Sequence, residues 1–136
     1  MSMLQPKKEK FRKQFRGKRG GVALRGATVA FGDFGMKAVT GGWITSREIE
    51  AARKKITFMT KRAGKYWLRI FPHKPITKKP VGVKMGSGKG PVEEHVAVVR
   101  PGTIIFELGG VTKEVAQQAF DKAGHKLSVR TTLISK

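Results

Sequence analysis

The sequence predicts an α+β fold: a single domain with two helices and a mixed or antiparallel sheet, carrying a basic amino-terminal arm and a long loop of proline, glycine and lysine. Three observations predict it. Two segments place apolar residues at helical spacing behind a threonine that suits a helix cap. The strand-like runs do not alternate regularly with those helices, as a parallel βαβ fold would require. And 136 residues suffice for one modest core but are short for two. The arm is residues 1–26 and the globular part is residues 27–136, with the extended loop at 72–91.

Residues 1–26, MSMLQPKKEKFRKQFRGKRGGVALRG, offer only Phe11, Phe15 and scattered aliphatics as anchors. Such a segment is expected to be irregular and ordered mainly by a partner. Thr28 to Val39 alternates well enough for strands interrupted at Gly32 and Gly35, where a bulge or a close backbone approach is expected. Gly41 and Gly42 mark a turn. Thr45 stands three residues before Glu48, the capping-box spacing that satisfies orphan amides at a helix start. Ile49, Ala52, Ile56, Met59 and Ala63 follow at helical spacing, and Gly64 suits the stop. Tyr66 to Phe71 reads as a strand by its aromatic content and launches the loop. Val96–Val99 and Thr103–Leu108 read as two strands joined by a turn at Pro101 and Gly102. A second helix is expected from the cap Thr112 to Ala123, burying Val115, Ala116, Ala119, Phe120 and Ala123 and ending at Gly124. Leu127 to Leu133 reads as a last strand.

The loop reads FPHKPITKKPVGVKMGSGKGP from Phe71 to Pro91. Prolines at 72, 75, 80 and 91 remove backbone donors, and glycines at 82, 86, 88 and 90 contribute nothing to a packed core. Lysines at 74, 78, 79, 84 and 89 have no acid among them. Such a segment repels itself in water and suits a polyanion that neutralises it.

Charge points the same way. The chain has 29 Lys and Arg against 9 Asp and Glu, a formal charge of +20. Met1–Val92 holds 23 basic residues and four acids, whereas the remainder is near neutral, with six against five. The binding surface is therefore expected in the first two thirds. From Ala51 to Val92 there are 12 basic residues and no acid, where a merely solvated surface would interleave signs. Phe58, Tyr66, Trp67 and Phe71 are interleaved with them. Core packing is the expected role of most of these rings, with one available to stack on a base.

Other chemistries find little support. With no cysteine, disulfides, thiolate catalysis and cysteine zinc sites are excluded. His73, His95 and His125 lack mutual ligand spacing, so neither metal nor cofactor is expected. The GSGKG at 86–90 fails the phosphate-loop pattern, because Val83 and Gly90 occupy its required Gly and Ser/Thr places, and Pro91 stands where a dinucleotide fingerprint needs glycine. Those glycines instead let backbone amides approach phosphates. Glu93 and Glu94, adjacent in a strand, point to opposite faces and make no catalytic pair. No run approaches the ~18 apolar residues of a membrane span, the start lacks the apolar stretch of a secretory signal, and the arm has no hydrophobic face for a membrane surface. No enzyme, small-molecule substrate or membrane partner is expected.

Several ordered stretches, LQPKKEKFRK at 4–13, FGDFGMKA at 31–38, ITSREIEAAR at 44–53, FPHKPITKKP at 71–80 and KMGSGKG at 84–90, resemble the bacterial ribosomal protein L16 (uL16) family, essentially end to end. The resemblance implies a hammerhead-like α+β fold and a structural, non-catalytic role in the large ribosomal subunit. It implies binding to large-subunit (23S-type) rRNA beside neighbouring ribosomal proteins, near the A-site and P-site tRNAs, with the loop reaching toward the peptidyl-transferase region. By position, Lys7, Lys8, Lys10, Arg12, Lys13 and Arg16, with Lys18, Arg19 and Arg25 behind them, belong to the rRNA-binding arm. Arg47, Arg53 and Lys54, followed by Lys61 and Arg62, fall on the basic helix. Lys78, Lys79, Lys84, Met85, Gly86, Ser87, Gly88 and Lys89 fall on the tRNA-proximal loop. The family's loop commonly carries arginine where this chain has Lys84, and some members hydroxylate it; lysine cannot fork two donors onto a phosphate. Ser87 often corresponds to Lys, and His73 to Asp. A cytoplasmic ribosome is the implied location, with an organellar one left open. The alternative is a free-standing RNA-binding or RNA-chaperone protein, which the charge suits but the ordered motifs do not.

Overall fold

A computed structural model describes residues 4–7, 13, 21–23, 25–77 and 92–136. In chain order the elements are β1 (Phe34–Ala38), β2 (Gly42–Thr45), α1 (Ser46–Met59), β3 (Lys65–Leu68), β4 (Lys74–Thr77), β5 (Val92–Val99), β6 (Ile104–Gly109), α2 (Lys113–Gly124) and β7 (Thr131–Ser135). The strands form two antiparallel sheets, ordered β3-β6-β1-β7 and β2-β5-β4. The α+β class holds, with two sheets in place of the one expected.

Both helices begin where their threonines predict. Thr45 is extended, its hydroxyl accepts from the Glu48 amide at 3.1 Å, and the Glu48 carboxylate accepts from the Thr45 amide at 3.1 Å. This reciprocal box satisfies two orphan donors; an N-cap is worth about 1 kcal/mol. Thr112 caps α2 by accepting from the Val115 amide. The helices pack on each other, and the core gathers Ile49, Ala52 and Ile56 from α1 and Ala116, Ala119, Phe120 and Ala123 from α2. Val115, expected in that core, is only half-buried.

β6 is the spine of the four-stranded sheet. Ile104 to Gly109 is buried at every position, with β1 on one side and β3 on the other. The turn at Pro101 and Gly102 joins β5 to β6 without making a hairpin, because the two strands lie in different sheets. Gly102 sits at φ +99 and donates to Ala38 at 2.8 Å, while Thr103 accepts from the Ala38 amide at 2.8 Å.

Several expectations need correction. Only Phe34–Ala38 of the 28–39 stretch is a strand, because the amides of Ala30, Phe31 and Gly32 donate to a side chain instead of a ladder. The Gly41–Gly42 turn runs straight into β2, whose residues pair with β5. α1 ends at Met59, short of the predicted Ala63, because Lys61 and Arg62 turn left-handed at φ +53 and +62. The loop predicted from residue 72 opens with strand β4, which accommodates Pro75 because it lies at the sheet edge. The last strand starts at Thr131; before it, the Ser128 hydroxyl donates to the Trp43 carbonyl and Val129 is buried.

Candidate nucleic-acid interface

α1 has the amphipathic pattern of a docked helix. Its buried stripe of Ile49, Ala52 and Ile56 faces the core, leaving Arg47 and Lys54 exposed. Arg53 is engaged within the helix: its guanidinium pairs with Glu50 one turn back. That hydrogen bond is the main reason the Glu50 carboxyl lies below its usual range and the Arg53 pKa lies above its own, with Tyr66 also favouring the arginine's charged form.

The last turn is built to stop. Thr60 donates its hydroxyl to Ile56 at 2.9 Å, and its amide donates to the same carbonyl at 3.0 Å. Lys61 and Arg62 then adopt a conformation that costs non-glycine residues roughly 1–2 kcal/mol each. Their amides donate to Phe58 and Thr57, both at 3.2 Å. This reversal lines a surface concavity of about 540 Å³ with Arg53, Lys54, Thr57, Phe58, Lys61 and Arg62. Phe58 is 72% exposed, with the Lys55 ammonium 5.2 Å from its ring centroid. Lys54, Lys61 and Arg62 are exposed and join no ion pair among the described residues.

A second basic region lies beside β4 and β5. Arg25, Arg69, His73 and Lys74 line a concavity with Phe71 and Val98. The Lys74 ammonium sits 5.9 Å from the Trp43 ring, and Phe71 tilts against His73 with ring centroids 4.9 Å apart. β4 and β5 hold Thr77 and Val92, the residues that flank 78–91, side by side as a pair.

Sequence reasoning missed a third feature, the clamp around Glu107. This carboxylate is wholly buried in β6. One oxygen accepts from the amides of Ala30 at 3.1 Å, Phe31 at 2.8 Å and Gly32 at 2.8 Å. The other pairs with Arg69, which also donates to the Thr28 carbonyl at 3.2 Å. Burial pushes the Glu107 carboxyl up, but the Gly32 amide, Arg69 and the amides of Phe31 and Ala30 outweigh it and hold it below the usual carboxylate range. Outside the clamp, the Arg69 guanidinium lies 5.1 Å from the Phe31 ring centroid, Phe31 stacks on Trp67 at 6.3 Å, and Lys65 lies 6.0 Å from Trp67. The signal was legible: one acid inside the continuous apolar run IIFELG.

Of the residues the sequence singled out, Lys7, Lys13, Arg25, Arg47, Lys54, Lys61 and Arg62 are exposed, and only the last three converge on one site together with Arg53. Lys8, Lys10, Arg12, Arg16, Lys18, Arg19, Lys78, Lys79, Lys84, Met85, Gly86, Ser87, Gly88 and Lys89 lie outside the described residues. The arm's described residues are neither helix nor strand; Leu4 nonetheless packs against the core, and Ala23 donates to Pro101 at 3.0 Å. Phe58 and Tyr66, expected mostly in the core, are exposed. Among the described residues no group of His, Asp or Glu is placed to hold a metal ion, and no helix is long and apolar enough to cross a membrane.

The family model for ribosomal protein L16p/L10e matches residues 6–134. The chain belongs to the L16p/L10e family of ribosomal proteins. A curated relative within that family, the large ribosomal subunit protein uL16 of Psychrobacter arcticus (strain DSM 17307 / VKM B-2377 / 273-4), is 52% identical over 134 residues, covering 98% of each chain. As an L16p/L10e protein, the chain is a structural component of a ribonucleoprotein in translation and not an enzyme.

Proposed function

We propose that this chain, a structural constituent of the large ribosomal subunit, binds large-subunit rRNA through the exposed basic end of α1 and the amino-terminal arm, and presents residues 78–91 to the tRNAs of the A and P sites. The single observation that carries the rRNA reading is the convergence of Lys54, Lys61 and Arg62, unpaired by any acid among the described residues, on one concave surface. Exposed cations held without counter-charge repel each other, and a row of phosphates relieves that repulsion. Arg25 and Lys74 add charge where the loop leaves the body. The tRNA reading is supported by the lysines at 78, 79, 84 and 89 and by a β4–β5 base that holds the segment's ends together. Such a protein works on the ribosome, and the cytoplasm is its expected compartment.

The mechanism is counterion release. Affinity for rRNA should fall with salt, with a log–log slope of about 0.7 per phosphate on single strands and about 0.9 on duplex. A salt titration of full-length protein on large-subunit rRNA measures it, and salt-independent binding would overturn the mechanism. For the loop, neutralising Lys78, Lys79, Lys84 and Lys89 together should slow tRNA accommodation more than it impairs incorporation into subunits. Unchanged accommodation in ribosomes carrying that variant would defeat the tRNA reading. Persistence in the large subunit through a high-salt wash separates this function from a free-standing RNA-binding protein, which would move to the soluble pool.

A further inference from the structure

We propose that Phe58 is a stacking platform for an unpaired RNA base, seated in the basic concavity at the end of α1. The inference rests on the rRNA-binding reading and adds to it a residue and a class of contact. Phe58 is more exposed than any other Phe, Tyr or Trp among the described residues, at 72%, and it lies in a concavity lined by cations, where a partner can cover it. Phe31, the next at 59%, already has Arg69 over its ring and Trp67 stacked beside it. Among the described residues, Phe58 has the Lys55 ammonium as its one ring contact, and at 72% exposure much of its ring is open.

The surroundings select the occupant. A protein's apolar patch would meet Lys54, Lys61 and Arg62 around the ring and bury their charges unpaired, which is costly. A nucleotide instead offers a π-face to the ring and a phosphate to the cations. The concavity, about 540 Å³, lies within the ~300–1,000 Å³ of small-ligand clefts. The backbone supplies an independent sign of function: Lys61 and Arg62 are consecutive non-glycine residues at positive φ, and strain of this kind gathers at binding sites. Both side chains line the concavity together with Phe58. Because A-form duplexes keep their bases stacked inside, the partner is a base from a loop, bulge or single strand.

The test uses full-length protein on extracted large-subunit rRNA, read by salt-dependent affinity and by base-specific chemical probing. Phe58→Ala should weaken binding about 5- to 140-fold, equivalent to ~1–3 kcal/mol per stacked base, and leave the salt slope unchanged. It should expose to the reagent at least one unpaired base that the wild type protects. Phe58→Trp should restore both affinity and protection. Because the ring is exposed, both variants should unfold at the wild-type temperature. If Phe58→Ala binds as tightly as wild type and protects the same bases, the platform is refuted while the rRNA reading stands. If the wild type itself binds without salt dependence, the rRNA reading falls and takes the platform with it.

Discussion

At the scale of the residue, Glu107 is where the body is most sensitive. Three amides and one guanidinium converge on a carboxylate with no access to water, so removing its charge leaves Arg69 facing a buried site without its counter-ion. Glu107→Gln should cost about 3–5 kcal/mol in denaturant unfolding, the range for breaking one partner out of a buried pair. A loss under about 1 kcal/mol would show that the pair contributes little. The pH dependence follows from the lowered carboxyl. Between its folded and unfolded pKa values the unfolded chain binds the extra proton, so stability rises with pH there. The contribution is complete above the usual carboxylate range and disappears as pH falls through the folded value. Stability curves of wild type and Glu107→Gln should therefore converge on the acid side; parallel curves would refute the linkage.

At the scale of the element, the end of α1 combines strain with charge. Arg62→Gly keeps the amide that donates to Thr57 and removes the cost of a side chain at φ +62. Relief of about 1–2 kcal/mol, offset by glycine's extra chain entropy of roughly 0.5–1, predicts a net gain of about 0–1.5 kcal/mol. The same variant should bind rRNA more weakly, with a salt slope smaller by about 0.7–0.9 if Arg62 touches one phosphate. A variant that lost stability would mean the left-handed turn is supported by the arginine side chain. This element also marks the limit of what was legible in the sequence. Thr45 with Glu48, and Thr112 before α2, were readable because a cap is a local interaction between near neighbours. Gly64 is the conventional stop signal, but the chain reverses earlier, at Lys61 and Arg62, through a conformation that non-glycine residues rarely adopt. β4 was hidden for the opposite reason, since Pro75 argues against a strand until the sheet order shows that this strand has an edge. Glu107 was visible as an acid within an apolar run, but its partners lie 38 to 77 positions away in the chain. For the candidate site, the cluster of positive charge is plain from composition, whereas Phe58, expected with the other rings mostly in the core, lies off the buried stripe of Ile49, Ala52 and Ile56 and is exposed.

At the scale of the whole molecule, the two sheets divide the labour. The four-stranded sheet holds the Glu107 clamp and the buried spine β6, while the three-stranded sheet ends at the pairing of Thr77 with Val92. Between those two residues lies the segment richest in glycine and lysine. Its ends are joined by hydrogen bonds that belong to the body, so the cost of bringing them together depends only weakly on the length between them, about 0.6 kcal/mol for each doubling. Deleting half of residues 78–91 should accordingly shift the unfolding free energy by less than about 1 kcal/mol, measured by denaturant melting; a larger loss would mean that the segment itself supports the body. The β4–β5 ladder thus acts as a socket. If the deletion is tolerated as expected, segments of different length or charge can be exchanged between Thr77 and Val92 against an unchanged scaffold, and the chemistry of that segment can be re-engineered as a separate part.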